Sequence, residues 1–144
     1  MLDGVQDAGN AGSMLRSAAA AGIQHAFCMP GTANAWSAKV LRAAMGAHFE
    51  IDIVEWVAPA ELIARLAVPI AITDSHGSAS IYQADLRGPC AWVFGNEGAG
   101  VSAPWRAAAT FRLTIPQPGR IESLNVAAAA AVCVFEQSRQ RLSR

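Results

Sequence analysis

The sequence predicts an α/β domain with a mainly parallel sheet flanked by helices. Short apolar runs typical of strands alternate with helical stretches about six times along the 144 residues, which is the pattern of parallel strands joined by helices. Residues 69–73 and 90–94 are almost wholly apolar, as expected of strands that are buried on both faces. The chain length fits one domain with a substantial core.

The predicted elements follow from local signals along the chain. The strand candidates are residues 1–5, 25–29, 51–54, 69–73, 90–94 and 111–115. The helix candidates are residues 10–21, 35–44, 59–67 and 123–142. Asn10 is a suitable N-cap and Gly22 a suitable stop for the first helix, and Pro59 opens the third at the favoured first-turn position. The arginine-rich end of the last helix suits the helix dipole.

The composition argues against several classes of protein. Only 15% of the residues are charged and the mean hydropathy is +0.26, which argues against a disordered chain. The longest apolar run, residues 126–135, is too short to cross a bilayer, and no secretory signal opens the chain, so a cytoplasmic protein without a membrane partner is expected. Eleven basic and eleven acidic residues leave no net charge, which argues against a freestanding basic nucleic-acid-binding protein.

Cysteines and histidines give no metal-binding pattern. The three cysteines are far apart and lie in apolar surroundings, so buried core thiols are expected rather than a zinc site or disulfides: Cys28, Cys90 and Cys133. The three histidines, His25, His48 and His76, are equally scattered, and His76 is expected to be an ordinary loop histidine. No metal is therefore predicted.

Three loops that follow predicted strands are unusually polar and rich in glycine. They are residues 7–12 leading into 14–18, residues 94–100, and residues 115–116 with 122–127. Ligands gather at such loops in parallel sheets. Taken singly, each loop has an ordinary explanation: glycine clusters make tight turns, Asn10 and Ser123 can be helix caps, and Arg16 can be a solvated helix residue.

Taken together and in this order, the loops resemble the SpoU (TrmH-like) family of RNA ribose 2′-O-methyltransferases, within the SPOUT superfamily. The first loop resembles that family's Asp-Pro-x-Asn-x-Gly…Arg-x-Ala, with Ala8 in place of the proline. The second resembles Gly-x-Glu-Gly-x-Gly, and the third resembles Ile-Pro…Ser-Leu-Asn-Val-x-x-Ala. The resemblance extends over essentially all 144 residues.

The resemblance implies a fold and an activity that composition does not reveal. The fold would be the SPOUT-type α/β knot, in which the C-terminal segment threads a loop to form a deep trefoil knot, an arrangement that general topology rules exclude. The cofactor would be S-adenosylmethionine, the substrate a ribose 2′-hydroxyl of tRNA or rRNA, and the active form a homodimer. Residues 1–144 would form a single methyltransferase domain, either of a minimal enzyme or of a longer one with an N-terminal RNA-recognition domain.

The resemblance also implies roles for individual residues. Arg16 would act on the 2′-hydroxyl, Asn10 would orient the ribose or hold Arg16, and Glu97 would receive an arginine or backbone amides. Ser123 and Asn125 would serve the substrate side or the loop over the cofactor. The positions that match cofactor-binding residues are Ile72, Gly95, Ile115 and Leu124.

Further candidates for RNA contacts are less specific. Lys39 and Arg42 are candidates for phosphate contacts, and exposed helix charges are the alternative. The four tryptophans can stack on bases, although core packing or dimer contact is the commoner use: Trp36, Trp56, Trp92 and Trp105.

Two rival functions stay open at this point. One is a catalytically idle module that keeps the fold and binds RNA or S-adenosylmethionine. The other is an unrelated nucleotide-binding enzyme whose phosphate site is residues 94–100.

Overall fold

The computed structural model describes residues 1–74, 77, 79–121 and 123–143. The strands are β1 (Leu2–Asp3), β2 (His25–Cys28), β3 (Asp52–Glu55), β4 (Ile70–Thr73), β5 (Ala79–Ser80), β6 (Ala91–Gly95) and β7 (Phe111–Thr114). The helices are α1 (Ala8–Ala20), α2 (Ala38–Ala44), α3 (Pro59–Arg65), α4 (Ala103–Ala108) and α5 (Val126–Leu142), with one 3₁₀ turn at Ala47–Phe49. His76, expected to be an ordinary loop histidine, lies outside the described residues.

The strands form one sheet in the order β3-β2-β1-β6-β4-β7-β5, and all pairs of these named strands are parallel. This confirms the predicted fold class. The chain returns from the β5 edge to place β6 between β1 and β4, so the register sets Leu2 beside Phe94 and Asp3 beside Gly95. The loops that follow β1, β6 and β7 therefore open at the same edge of the sheet. The strand order does not test threading, and the trefoil knot stays a prediction.

Helices cover both faces of the sheet. Helices α1, α2 and α5 pack on one face against Trp92 and Phe94, and α3 and α4 pack on the other face against Ile72 and Val93. Among the described helices, none has the length and apolar character needed to cross a membrane. Of the three free cysteines, Cys28 and Cys133 are buried and Cys90 is half-buried, so the expectation of buried thiols is correct for two.

Three helix starts differ from the prediction: α2 begins at Ala38, three residues later than predicted, with Ser37 as its N-cap, and α1 and α5 begin at other residues as well. Asp7, not Asn10, is the N-cap of α1, because its carboxylate accepts a hydrogen bond from the Asn10 backbone N–H at 2.8 Å. Helix α5 begins at Val126 rather than at Ser123, with Asn125 as its N-cap. Several residues that suit an N-cap stand near the starts of α1 and α5, and their sequence alone does not select one. Asn10 and Ser123 are consequently not capping residues.

The remaining strands and helices lie close to their predicted positions, but two elements were not predicted. Strand β5 has only two residues, which is too short for a periodic pattern. Helix α4 has six residues and begins with a proline in its first turn; its apolar anchor is Trp105, which is fully buried. Both elements depend on contacts that form only when the sheet is assembled.

Candidate active site

Glu97 joins the second polar loop to the first. Its two carboxylate oxygens accept hydrogen bonds from the backbone N–H groups of Gln6 and Asp7, each at 3.2 Å. One of these oxygens also accepts from the Asn10 side-chain amide at 3.1 Å. The sequence left open whether Glu97 receives an arginine or backbone amides, and the structure gives it amides.

These donors keep the Glu97 carboxylate ionised. Desolvation raises its pKa, but hydrogen bonds from its own backbone, Asn10, Asp7 and Gln6 together hold the pKa below its usual range. A carboxylate that already accepts several hydrogen bonds and has a lowered pKa is a poor proton acceptor. Glu97 is therefore suited to positioning Asn10 rather than to acting as a base.

Asn10 and Asn125 connect the first loop to the third. The Asn125 side-chain amide donates to the Asn10 side-chain oxygen at 2.9 Å. The Asn125 oxygen accepts from the backbone N–H groups of Ala127 and Ala128, which fixes its orientation at the start of α5. Asn10 is thus held by Glu97 and Asn125, and the described residues show no contact from it to Arg16.

The loop at residues 95–100 is folded tightly on itself. This close packing requires glycine at position 95, because a Cβ atom added there would lie 2.1 Å from the Gly100 carbonyl carbon. The Asn96 side-chain oxygen accepts from the N–H groups of Gly98 and Ala99, and its amide donates to the Gly4 carbonyl, each bond being 2.9 Å long. The sequence did not assign this function to Asn96, although an asparagine between glycines is a common turn residue.

A pocket of about 340 Å³ lies beside this network. Its walls come from the second and third polar loops, the ends of β4 and β7, helix α4 and the first turn of α5. The lining residues are Thr73, Asp74, residues 95–101, Arg106, Thr114, Ile115, Gln117, Ser123, Leu124, Val126 and Ala129. Three of the four predicted cofactor positions, Gly95, Ile115 and Leu124, are therefore brought together. Ile72 is not among the lining residues, because it is buried in β4 between its partners Val93 and Arg112.

Arg106 forms part of the pocket wall and was not predicted as a site residue. Its guanidinium lies 3.5 Å from the Asp74 carboxylate and donates to the Val101 carbonyl at 2.8 Å. The pocket thus combines apolar side chains with charged groups and glycine-rich backbone. This mixture suits S-adenosylmethionine, which has a flat adenine ring and a charged amino-acid end.

Arg16 lies away from this pocket. Six helix positions separate it from Asn10, which is about 9 Å along the axis and two-thirds of a turn around it. The side chain is exposed and lines a groove with α2 and the residues after it, including Met45 and Glu50. Lys39 and Arg42 are exposed on α2 and form no ion pair with described residues.

Ser123 is exposed at the pocket mouth, next to Glu122, which lies outside the described residues. Three of the five predicted catalytic residues therefore share one hydrogen-bonded network, one borders the pocket, and Arg16 lies elsewhere. Within the described residues, no three side chains of histidine, cysteine, aspartate or glutamate form a group that could hold a metal.

Comparison with known proteins identifies the family. The model of the SpoU rRNA Methylase family matches residues 1–135. The chain belongs to this family. Among curated relatives, the 23S rRNA (guanosine(2553)-2′-O)-methyltransferase RlmP of Bacillus subtilis (strain 168) is 40% identical over 138 residues. That match covers 94% of this chain and 55% of the relative, and the chain spans about half the length of such relatives.

Solved structures of family members share the fold. The SpoU methyltransferase AviRb from Streptomyces viridochromogenes, in complex with the cofactor AdoMet, superposes with a TM-score of 0.92 at 32% identity. This match covers 99% of our chain and 60% of AviRb. A structure concerned with the 2-OH methylation of C/U34 on tRNA matches with a TM-score of 0.86 at 31% identity, covering 99% of our chain and 95% of the other.

Proposed function

We propose that this chain transfers a methyl group from S-adenosylmethionine to a ribose 2′-hydroxyl of rRNA or tRNA. The observation that carries the proposal is the network of Asn10, Glu97 and Asn125, one residue from each polar loop, beside a pocket lined by Gly95 and Leu124. The names of the relatives support the same reaction on rRNA, and the 2-OH methylation structure supports tRNA as the other candidate.

The pocket residues would bind the cofactor, which supplies a sulfonium methyl group when bound. Ile115, Leu124 and Val126 provide an apolar wall, while Asp74 and Arg106 provide charged partners for an amino-acid group. The Asn10–Asn125 pair stands at the junction of the loops and would fix the ribose, so that its 2′-oxygen faces the pocket. Such positioning accounts for a large part of the rate enhancement in bimolecular transfer.

Glu97 is unsuited to take the proton of the 2′-hydroxyl, because its oxygens are already hydrogen-bonded acceptors. The proton would pass to water as the oxygen–methyl bond forms and the sulfonium sulfur–methyl bond breaks. Arg16 is suited to stabilise the developing alkoxide as a permanent cation rather than to remove the proton as a base. Electrostatic stabilisation of this kind contributes about 3 kcal/mol in a site that excludes water.

A second copy of the chain would bring Arg16 to the pocket. Within one chain Arg16 lies on a different face of α1 from Asn10 and lines another groove. Leu124, just before α5, and Phe135, on the exposed side of α5, are 40% and 48% exposed and offer an apolar contact surface. A homodimer that buries them can place Arg16 of one copy beside the pocket of the other. The three free thiols are consistent with a cytoplasmic protein.

The proposed activity is tested by methyl transfer from labelled S-adenosylmethionine to purified 23S rRNA and to total tRNA, followed by mapping of the modified nucleotide. We expect one 2′-O-methylated position in one of the two RNAs. Arg16→Ala should lower the rate at least about 100-fold and leave S-adenosylmethionine affinity unchanged. Binding of the cofactor without methylation of either RNA would instead support an idle binding module.

The origin of Arg16 is tested by mixing two inactive variants, Arg16→Ala and Asn125→Ala. If Arg16 acts across the dimer, half of the randomly formed dimers have one intact site, which gives about a quarter of wild-type activity. If Arg16 acts within its own chain, no mixed dimer has an intact site. Activity no higher than that of the separate variants would therefore refute the trans arrangement.

A further inference from the structure

The four tryptophans fall into two classes. Trp92 and Trp105 are core residues, with 5% and 0% of their surface exposed. Trp36 and Trp56 are 54% and 69% exposed, and no core contact accounts for them. Trp36 follows β2 and Trp56 follows β3, so both lie at the same edge of the sheet as the Asn10–Glu97–Asn125 network.

A hydrogen bond and a ring contact hold Trp36 at the end of the sheet. The Ala35 N–H donates to the Glu55 carboxylate at 2.8 Å, which places Trp36 next to the last residue of β3. The Trp36 ring contacts His48 edge-on, with ring centroids 4.9 Å apart. These contacts hold an exposed aromatic ring in one place.

The backbone at Trp56 is also restrained. Its φ angle is +64°, a left-handed conformation that bulky residues rarely adopt and that costs about 1 kcal/mol or more. Its N–H donates to the Cys28 carbonyl at 2.8 Å, so the chain ends β3 and turns outward at a fixed point. A strained residue with a large exposed ring is more typical of a binding surface than of a loop that only joins two secondary-structure elements.

Hydrogen bonds join the loop that carries Trp36 to the loop that leads into the proposed active site. The Thr32 hydroxyl donates to the Leu2 carbonyl at 2.8 Å, and the Ala33 N–H donates to the Val5 carbonyl at 2.8 Å. The loop before Trp36 is therefore attached to the loop that contains Asn10. Three strand spacings separate β3 from β6, which is roughly 14 Å, or a few nucleotides along a strand of RNA.

The charges near this surface favour a polyanion. Lys39 and Arg42 lie on α2, directly after Trp36 in sequence, and are exposed without an ion pair to described residues. Glu55, at the end of β3, keeps its charge but has one carboxylate oxygen turned to the Ala35 N–H. Proteins commonly bind single-stranded nucleic acid with exposed aromatic rings, on which the bases stack, and with nearby basic side chains, which contact the phosphates.

We propose that Trp36 and Trp56 form a stacking surface for unpaired bases that flank the methylated nucleotide, with Lys39 and Arg42 contacting the phosphates. This proposal rests on the proposed function, since it extends the RNA path away from the same active site. Base stacking tolerates any sequence, so the surface selects single-stranded or looped RNA rather than a particular base.

The test measures binding of two probes to the full chain: a nine-nucleotide oligoadenylate and an abasic oligoribonucleotide of the same length. Trp36→Ala and Trp56→Ala should each weaken oligoadenylate binding about tenfold. Neither variant should change the affinity for the abasic probe or for S-adenosylmethionine. Trp36→Phe should keep most of the binding. Tyr82→Ala is the matched control, because Tyr82 is also an exposed aromatic residue, 55% exposed, but follows β5, the outer strand on the side of the sheet away from β3.

Three results would overturn the proposal: unchanged oligoadenylate binding in both tryptophan variants, equal weakening for the two probes, or a change in oligomeric state in place of the binding change. The last result would show that the rings contact another copy of the chain. Circular dichroism and urea unfolding show whether each variant is folded. Methylation by the wild-type chain is measured separately. If the wild-type chain methylates RNA and neither tryptophan substitution weakens oligoadenylate binding, the stacking surface alone is refuted. A chain that stacks on RNA but transfers no methyl refutes the proposed function alone.

Discussion

Side-chain amides attach both ends of α5 to the rest of the fold, but one amide is exposed and the other is buried. At the start of the helix, Asn125 is exposed and donates to Asn10. Near the end, Gln137 is buried; it accepts from the Trp92 indole N–H at 3.0 Å and donates to the Leu86 and Gly88 carbonyls. The first set of bonds lies at the carboxyl edge of the sheet and the second lies at the amino edge.

This difference separates function from stability along one helix. A buried amide is costly when it loses a partner, because no water replaces the bond. An exposed amide costs little when it is lost but can meet an incoming substrate. We therefore expect substitutions at the carboxyl edge to impair methyl transfer and substitutions at the amino edge to impair folding.

The largest expected effect is on activity, at Asn125. Asn125→Asp keeps the oxygen that caps α5 but replaces the amide that donates to Asn10 with a second acceptor. Methyl transfer should fall about 100-fold. The free energy of unfolding should stay within about 1 kcal/mol of the wild-type value. Single-turnover assays measure methyl transfer, and urea unfolding measures the free energy of unfolding. Asn125→Ala also loses the cap of α5, so the difference in unfolding free energy between the two variants gives the contribution of the cap. Full activity in Asn125→Asp would show that the Asn10 contact is dispensable.

Next in size is a loss of stability at Gln137. Gln137→Leu leaves the buried Trp92 indole N–H without its acceptor and the Leu86 carbonyl without its side-chain donor, while the Gly88 carbonyl keeps the hydrogen bond from Arg141. Urea unfolding should show a loss of about 2–4 kcal/mol. Turnover per folded molecule should be unchanged at a temperature where the variant is folded. Gln140→Leu, at a half-buried position on the same helix, should lose less. A fall in turnover equal to that of Asn125→Asp would mean that the two ends of α5 are not independent.

The smallest expected effect is a pH dependence at the amino edge. In a polypeptide produced with Met1 as its first residue, the Met1 amino group donates to the Trp92 carbonyl at 2.7 Å, and burial lowers its pKa from 8.0 to about 6. Between these values the unfolded chain binds a proton that the folded chain does not, so stability should decrease by about 2 kcal/mol as the pH falls from 8 to 6. Urea midpoints across this range measure the decrease. Acetylation of the Met1 amino group should abolish it, and an unchanged slope after acetylation would assign the decrease to another group.

The sequence predicted the sheet well because its signal is local. The apolar runs at residues 69–73 and 90–94 became β4 and β6 with shifts of one residue, since strands buried on both faces leave little choice. The three polar loops were also found, because each follows a predicted strand. The sequence did not show that Glu97 would bind the N–H groups of Gln6 and Asp7, because that contact depends on the register of β1 against β6.

Other features of the site depend on the direction in which each side chain points in the folded chain, which a sequence pattern does not give. Arg16 fits the family motif, yet the helical period turns it away from Asn10. Arg106 and Asp74 come from elements separated in sequence and meet only in the folded pocket. The exposure of Trp36 and Trp56 likewise depends on their place at the sheet edge, since Trp92 has the same side chain and is buried.

Helices α1 and α2 approach so closely at Gly12 that a Cβ atom there would lie 2.5 Å from the Ala43 Cβ and 2.6 Å from the Val40 carbonyl oxygen. Because glycine removes the spacer between the two backbones, the helices form a stiff pair with little freedom to slide. Arg16 on one helix and Lys39 on the other therefore keep a fixed separation. A substitution at Gly12 that pushes the two helices apart would therefore displace Arg16 and Lys39 relative to each other, although Gly12 lies on neither proposed binding surface.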